Sequence, residues 1–406
     1  MFLAGRVPPE ARKAYEKDAL AGMLGAVMIG LTGPFIAVIA RDRLHATEFE
    51  IAVLSMSGVA GSLFSLVSAR MAQGGREMRV AVTSWVIARS LFILVLFAVT
   101  HTFFVVVVAT INVLASVGSP AYAAIMREVY PDGDRARIMS YARVCTWCVS
   151  LAVTAVASWL LGIVSYRYVF PVAAFFGVAS ALVFGRIPTK ADNGRPSDTH
   201  IEFVRSSISI FRDDPAFRWF CGGIFLFGFA NFTAMPVYAI YQVDVLGVRT
   251  QWAGAYAIVA QVTMLLSLFF WGGHVDRIRP EKVIAGQALA WSLIPFIYCV
   301  ASAPWMLLPA MAVSGALSGG IELSYLNGVL RFAPAARVAQ YQALFAVLTG
   351  VRGVTGPLVG AWLLRRGLLS MRQIFLVCGV VILISVVIQL AGVAKYHSAR
   401  PGDTAI

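Results

Sequence analysis

The chain has 406 residues, of which 59 % are apolar and only 13 % charged, with a mean hydropathy of +0.78. Soluble domains carry about 25 % charged and about 45–50 % apolar residues, so a water-soluble globule, a disordered chain and a fibrous repeat are excluded. The net charge of +13 sits in short loops between apolar stretches, without the aromatic–basic stripes of a nucleic-acid reader, so no nucleic-acid partner is expected.

Residues 1–18 carry Arg6, Arg12, Lys13 and Lys17, and the apolar stretch that follows lacks a small-residue cleavage site, so the N-terminus is not read as a cleaved signal. Twelve apolar stretches come next, each near the roughly 20 residues that cross about 30 Å of hydrocarbon. They are spans 1 to 12 at 19–40, 50–69, 80–99, 103–126, 139–163, 167–186, 216–241, 251–272, 283–301, 304–330, 338–364 and 372–394. If both ends lie on one side, that side collects 23 Lys and Arg and the opposite loops seven, with Arg89, Arg143 and Arg352 inside spans. The positive-inside rule then places both termini in the cytoplasm of an inner (plasma) membrane, multi-pass protein.

The longest interruption, 187–215, divides the chain into 1–186 and 216–406. Its first half is polar. Its second half puts Ile201, Val204, Ile208 and Phe211 at helical spacing with Arg205 and Arg212 between them, the pattern of a helix lying on the membrane surface. The five cysteines fall within apolar segments and imply neither disulfides nor a redox or metal centre; Cys145 and Cys148 read as packing residues. No His cluster, no cofactor motif and no nucleotide-binding loop is present, so no metal or cofactor and no enzymatic activity is expected.

The two halves repeat at an offset of 202 or 203 residues. Pro34, Asp42 and Leu44 pair with Pro236, Asp244 and Leu246, and Thr47 with Thr250. Arg76 and Arg79 pair with Arg279 and Lys282, Tyr122 and Pro131 with Tyr325 and Pro334, and Arg135 with Arg337. Trp159-Leu160-Leu161 pairs with Trp362-Leu363-Leu364. Six spans per repeat give both halves the same orientation, the parallel duplication of transporters that rock around a central site. The expected fold is all-α, with 12 transmembrane helices in two pseudo-symmetric six-helix bundles.

With these features the chain resembles the major facilitator superfamily of secondary transporters. Loop 8–9, "GGHVDRIRPEK", carries Gly272, Asp276, Arg277 and Lys282 in the family's G-x-x-x-D-R-x-G pattern, with Arg279 in place of the second Gly. Loop 2–3 keeps Arg76 and Arg79 but has Gln73 where the Asp falls, and loop 4–5 matches P-x-x-x-R-x-R through Pro131, Arg135 and Arg137. The resemblance implies alternating access, with spans 1, 4, 7 and 10 lining a cavity. An Asp at the end of span 8 suits the electropositive N-terminus of span 5, so Asp276 and Arg143 are expected to form a latch, within an expected cytoplasmic gate that also includes Gly272, Arg277, Lys282, Arg135, Arg137, Arg76 and Arg79.

Glu322 is the one carboxylate placed within the apolar segments, and a lone carboxyl there is suited to exchanging a proton with the coupling cycle. It is the expected proton-coupling residue, with pairing to Arg352 as the structural alternative. Arg89 is expected to be paired or snorkelling. The expected cavity lining is Thr32, Asn112, Ser116, Tyr122, Asn231, Thr233, Tyr238, Ser324, Tyr325, Asn327 and Arg352, and Pro34 and Pro236 are the expected hinges. Gly353, Gly356 and Gly360 of span 11 read as close helix packing. The expected partners are the lipid bilayer, a small-molecule substrate and a proton or other coupling ion, with the chain acting as a monomer. Proton-coupled efflux of a small organic solute is the first expectation, and uptake or exchange of an organic anion the alternative. A non-transporting receptor on the same scaffold is a minor one.

Overall fold

The computed structural model describes residues 4–64, 76–131, 134–189, 210–274, 280–334 and 337–399. Among the described residues all regular structure is helical, and each predicted span coincides with a helix or with two helices in tandem. The first six are Pro9–Thr32 with its continuation to Arg43, Glu48–Ala60, Glu77–Ser90, His101–Val117 with Ser119–Val129, Arg135–Ile163 and Tyr166–Phe184. The last six are Pro215–Asp244, Thr250–His274, Pro280–Trp291 with Leu293–Val300, Leu308–Phe332, Val338–Arg365 and Met371–Ala399. Ten helical stretches among the described residues are long and apolar enough to cross a membrane. This is a polytopic all-α membrane protein. The predicted surface helix in 187–215 lies largely outside the described residues, which resume at Ile210.

The helices start where a side chain can satisfy free backbone N–H groups. Thr47 and Glu50 form a capping box at the start of Glu48–Ala60: the Thr47 hydroxyl accepts from Glu50 N at 3.3 Å and the Glu50 carboxylate accepts from Thr47 N at 2.8 Å. The same carboxylate accepts from Thr102 Oγ1 at 2.7 Å and meets His101 Nδ1 at 2.7 Å, joining spans 2 and 4. Asp214 caps Pro215–Asp244 by accepting from Phe217 N at 3.0 Å.

The internal repeat is visible in the backbone. Span 1 ends with Leu44 N donating to Ile39 O and then His45 at φ 57°. Span 7 ends with Leu246 N donating to Tyr241 O and then Gly247 at φ 64°. The two bonds and the two left-handed residues are related by the sequence offset of 202.

The chain forms two compact units, one of Met1–Ser197 with Gly247–Ile258, the other of Asp198–Leu246 with Val259–Ile406. In the first, Tyr15, Ala19, Ile125, Met126, Tyr130, Ile138 and Phe184 form a core at one end of spans 1, 4, 5 and 6. In the second, Phe217, Phe220, Ile224, Val329, Tyr341 and Leu344 join spans 7, 10 and 11. Close helix approach follows from small residues. A Cβ on Gly360 of span 11 would collide with the Thr233 carbonyl of span 7, and one on Gly356 with Phe232. The packing reading therefore holds for Gly356 and Gly360. In the first unit the glycines lie on span 1 instead: Gly22 abuts Thr146 and Gly30 abuts Ser150 and Val153, all on span 5.

The two prolines behave differently. At Pro34 the α-helix stops at Thr32, and a 3₁₀ turn (Gly33–Phe35), one short α turn (Ile36–Val38) and a π turn (Ile39–Arg43) follow. Pro236 lies within the unbroken helix Pro215–Asp244.

Candidate functional site

A cavity of about 230 Å³ lies inside the first unit, walled by spans 1, 3, 4, 5 and 6. Span 1 can make one wall because Ala21, Gly22, Gly25 and Ala26 carry little or no side chain there. Asp18 sits on the same helix face, one turn before them. It is 6 % exposed, and its carboxylate accepts from the Tyr130 hydroxyl at 2.9 Å. Arg143 of span 5, itself exposed, also lines the cavity and lies within electrostatic reach of Asp18.

The opposite wall is aromatic. Trp85, Tyr122 and Phe184 meet pairwise with ring centroids 5.1–6.1 Å apart. The Trp85 indole N–H is committed to Ala115 O at 3.0 Å, which fixes the ring. The Arg89 guanidinium stands over that ring at 5.1 Å from its centroid and donates to Gly177 O at 2.8 Å. No carboxylate pairs with Arg89 among the described residues. A half-buried guanidinium held by a carbonyl and an aromatic face keeps most of its charge available to the cavity. The expectation that Arg89 is structurally held is met by Gly177 and Trp85, yet the residue also lines the cavity.

Asp18 is a further buried carboxylate that hydropathy does not single out. The helix carrying span 1 begins at Pro9, not near residue 19, so Asp18 lies in its third turn and on its buried face. The signal was present in the spacing: Ala14, Asp18, Ala21 and Gly25 recur at helical intervals. Glu322 lies in the helix Leu308–Phe332, and its side chain is outside the described residues, as is that of Asn327.

Of the predicted lining residues, Tyr122 reaches the cavity. Thr32, Ser116, Thr233 and Ser324 donate to carbonyls of their own helices at 2.6–2.9 Å. Asn112 donates to Ser57 Oγ at 2.9 Å, and Asn231 accepts from Trp291 Nε1 at 2.9 Å. The Tyr238 hydroxyl is buried with no hydrogen-bond partner among the described residues. Arg352, 5 % exposed, donates to Ile224 O and to Thr349 Oγ1, pairs with the Tyr325 hydroxyl and packs against Gly228. Its Nε has no partner among the described residues.

Of the predicted gate, Asp276 and Arg277 lie outside the described residues, and Gly272 ends up in the helix Thr250–His274. Arg76, Arg79 and Lys282 are exposed. Arg135 donates to Arg127 O and Tyr130 O, and Arg137 pairs with Asp134 at 2.7 Å.

A duplicated all-α membrane fold with charged groups gathered inside one bundle defines a polytopic transporter. The chain belongs to the Major Facilitator Superfamily, whose family model matches residues 19–284. No curated protein sequence matches it. Among solved structures it is similar to the nucleoside transporter NupG, at TM-score 0.70 and 16 % identity over 94 % of this chain and 98 % of that one. A point mutant of NupG gives TM-score 0.71 at 14 % identity over 93 % and 99 %. A bacterial homolog to the human lysosomal transporter Spinster, in an inward-facing and occupied conformation, gives 0.64 at 14 % identity over 95 % and 97 %. At these identities the likeness is one of fold.

Proposed function

We propose that this secondary transporter moves a small organic anion across the plasma membrane, in uptake or exchange, by alternating access coupled to protons. The observation that carries this reading is the pair of arginines, Arg89 and Arg143, lining one cavity with the buried acid Asp18. Two fixed cations and one carboxylate leave a net positive site when the acid is ionised, and a more positive one when it is protonated. Anion and proton therefore favour each other's binding, which is the reciprocal linkage that cotransport requires. Asp18 is the proposed proton site of the first unit. Glu322 remains the proposed one of the second, and Asp276 with Arg143 the proposed gate. Both termini are proposed to be cytoplasmic and the protein to act as a monomer.

Efflux of an amphipathic compound is the second reading, favoured by the aromatic wall of Trp85, Tyr122 and Phe184. Proteoliposomes carrying a pH-sensitive dye separate the two. Addition of organic acids is expected to move protons into the lumen with the wild-type chain, and Asp18→Asn is expected to abolish the proton movement. Proton movement driven by lipophilic cations and not by organic acids would replace the anion reading with efflux.

A further inference from the structure

The first-unit cavity restricts the anion further, an inference that rests on the reading just proposed. Three features act together. The first is space: the cavity is partly open to its surroundings, and its roughly 230 Å³, the space of about eight waters, accommodates a single ring with its carboxylate.

The second is the inventory of donors. Thr146 Oγ1 donates to Ala142 O at 2.9 Å and Ser180 Oγ to Ala21 O at 2.7 Å. The Trp85 indole N–H is likewise committed to a carbonyl. The charged donors on the lining are the guanidinium N–H groups of Arg89 and Arg143, which match a carboxylate, and Tyr122 adds a neutral hydroxyl. With Asp18 ionised their net excess is one positive charge, which suits a monoanion.

The third is the aromatic wall, which offers a flat apolar surface beside the Arg89 guanidinium. The second repeat offers an internal comparison. The offset of 202–203 carries Asp18 onto Phe220, Arg89 onto Ser292 and Arg143 onto Phe345. There Phe220 packs against Phe332 with centroids 4.9 Å apart, Phe345 packs against Tyr325 at 5.6 Å, and Ser292 donates to Leu289 O at 2.7 Å. These three positions are uncharged in the second repeat, but Arg352 is seated there instead, against Ile224 and Gly228, the counterparts of Gly22 and Ala26, so each repeat supplies its arginine to this region from different helices.

We infer that the first-unit cavity is a binding site for a single-ring aromatic monocarboxylate, with the carboxylate on Arg89 and Arg143 and the ring against Trp85 and Tyr122.

The test is equilibrium binding of radiolabelled benzoate to the purified full chain in a non-ionic detergent, with no transport required. Saturable binding is expected, displaced by unlabelled benzoate, more weakly by cyclohexanecarboxylate and not by benzamide. Arg89→Gln is expected to weaken binding by about tenfold or more, as for loss of a charge-assisted hydrogen bond, and Tyr122→Leu by several-fold. Arg365→Gln, an exposed charge in the other unit, is expected to leave it unchanged. Arg89 also ties span 3 to span 6, so Arg143→Gln carries the same test if Arg89→Gln does not fold, folding being checked by elution profile and thermal unfolding. No saturable benzoate binding, equal binding of benzamide, or unchanged binding in both arginine variants would overturn the inference. Displacement of benzoate by phosphatidylglycerol at equal molar ratio would also overturn it, by giving the cavity to a lipid phosphate. If benzoate fails to bind while proteoliposomes still couple an organic acid to protons, this inference falls and the proposed function stands. If benzoate binds but no acid moves protons, the converse holds.

Discussion

The two repeats share a backbone plan and differ in what they bury. In the second unit Phe220, Phe217 and Phe332 fill the space beneath span 7 with rings. In the first, the corresponding stretch of span 1 presents Asp18 to Tyr130 and leaves a cavity. The close helix pair is also the same in both, span 1 on span 5 and span 7 on span 11. The residues that permit it sit on opposite partners, Gly22 and Gly30 on span 1 but Gly356 and Gly360 on span 11. Duplication fixes which helices touch. It does not fix which helix supplies the small residues or which supplies the interior charge.

That comparison is broken most severely at the glycines. Gly360→Ala sets a methyl group against the Thr233 backbone carbonyl, which cannot swing aside as a side chain can. It is expected to destabilise the chain by about 3 kcal/mol, read as a fall in melting temperature in detergent. Gly222→Ala, where a Cβ meets nothing within 4 Å, is the control and is expected to be neutral or slightly stabilising. Next in size is Tyr130→Phe, which removes the hydroxyl donor to a buried carboxylate. A loss of about 2 kcal/mol is expected, with the helices otherwise intact.

The helix C-termini give smaller effects of opposite sign. Gly247→Ala forces a side chain into the left-handed region at φ 64° and is expected to cost about 1 kcal/mol. His45→Gly relieves the same conformation at the equivalent turn of the first repeat. It is expected to stabilise by a few tenths of a kcal/mol at most, because the added chain entropy of glycine offsets part of the relief. Equal signs for these two variants would mean that the paired turns are not equivalent.

Much of the fold was legible because lipid imposes simple rules. A run of apolar residues near 20 long has one structural outcome, so the helices follow the runs, and the repeat could be read from Pro34/Pro236 and Asp42/Asp244. Asp18 went unremarked because hydropathy alone sees only where the apolar run begins, and the helix starts before it, among charges. The lining of the cavity was largely illegible for a different reason. Thr32, Thr233 and Ser324 satisfy themselves on their own helices, and nothing in their identity distinguishes that from facing a solute. Arg89 was legible as a charge out of place, but its seat between Gly177 and Trp85 depends on a contact spanning 88 residues.

The mixed winding from Gly33 to Arg43 has a mechanical consequence for the cavity. A rod of uniform pitch carries torsion from one end to the other. One whose hydrogen bonds step from three to four to five residues absorbs torsion by shifting the boundaries between those windings. Arg41, anchored to the Ala46 carbonyl and to Glu48, can therefore turn with its loop while the straight run from Pro9 to Thr32 keeps its bearing. The acid's half of span 1 is in that way insulated from rotation at the far end.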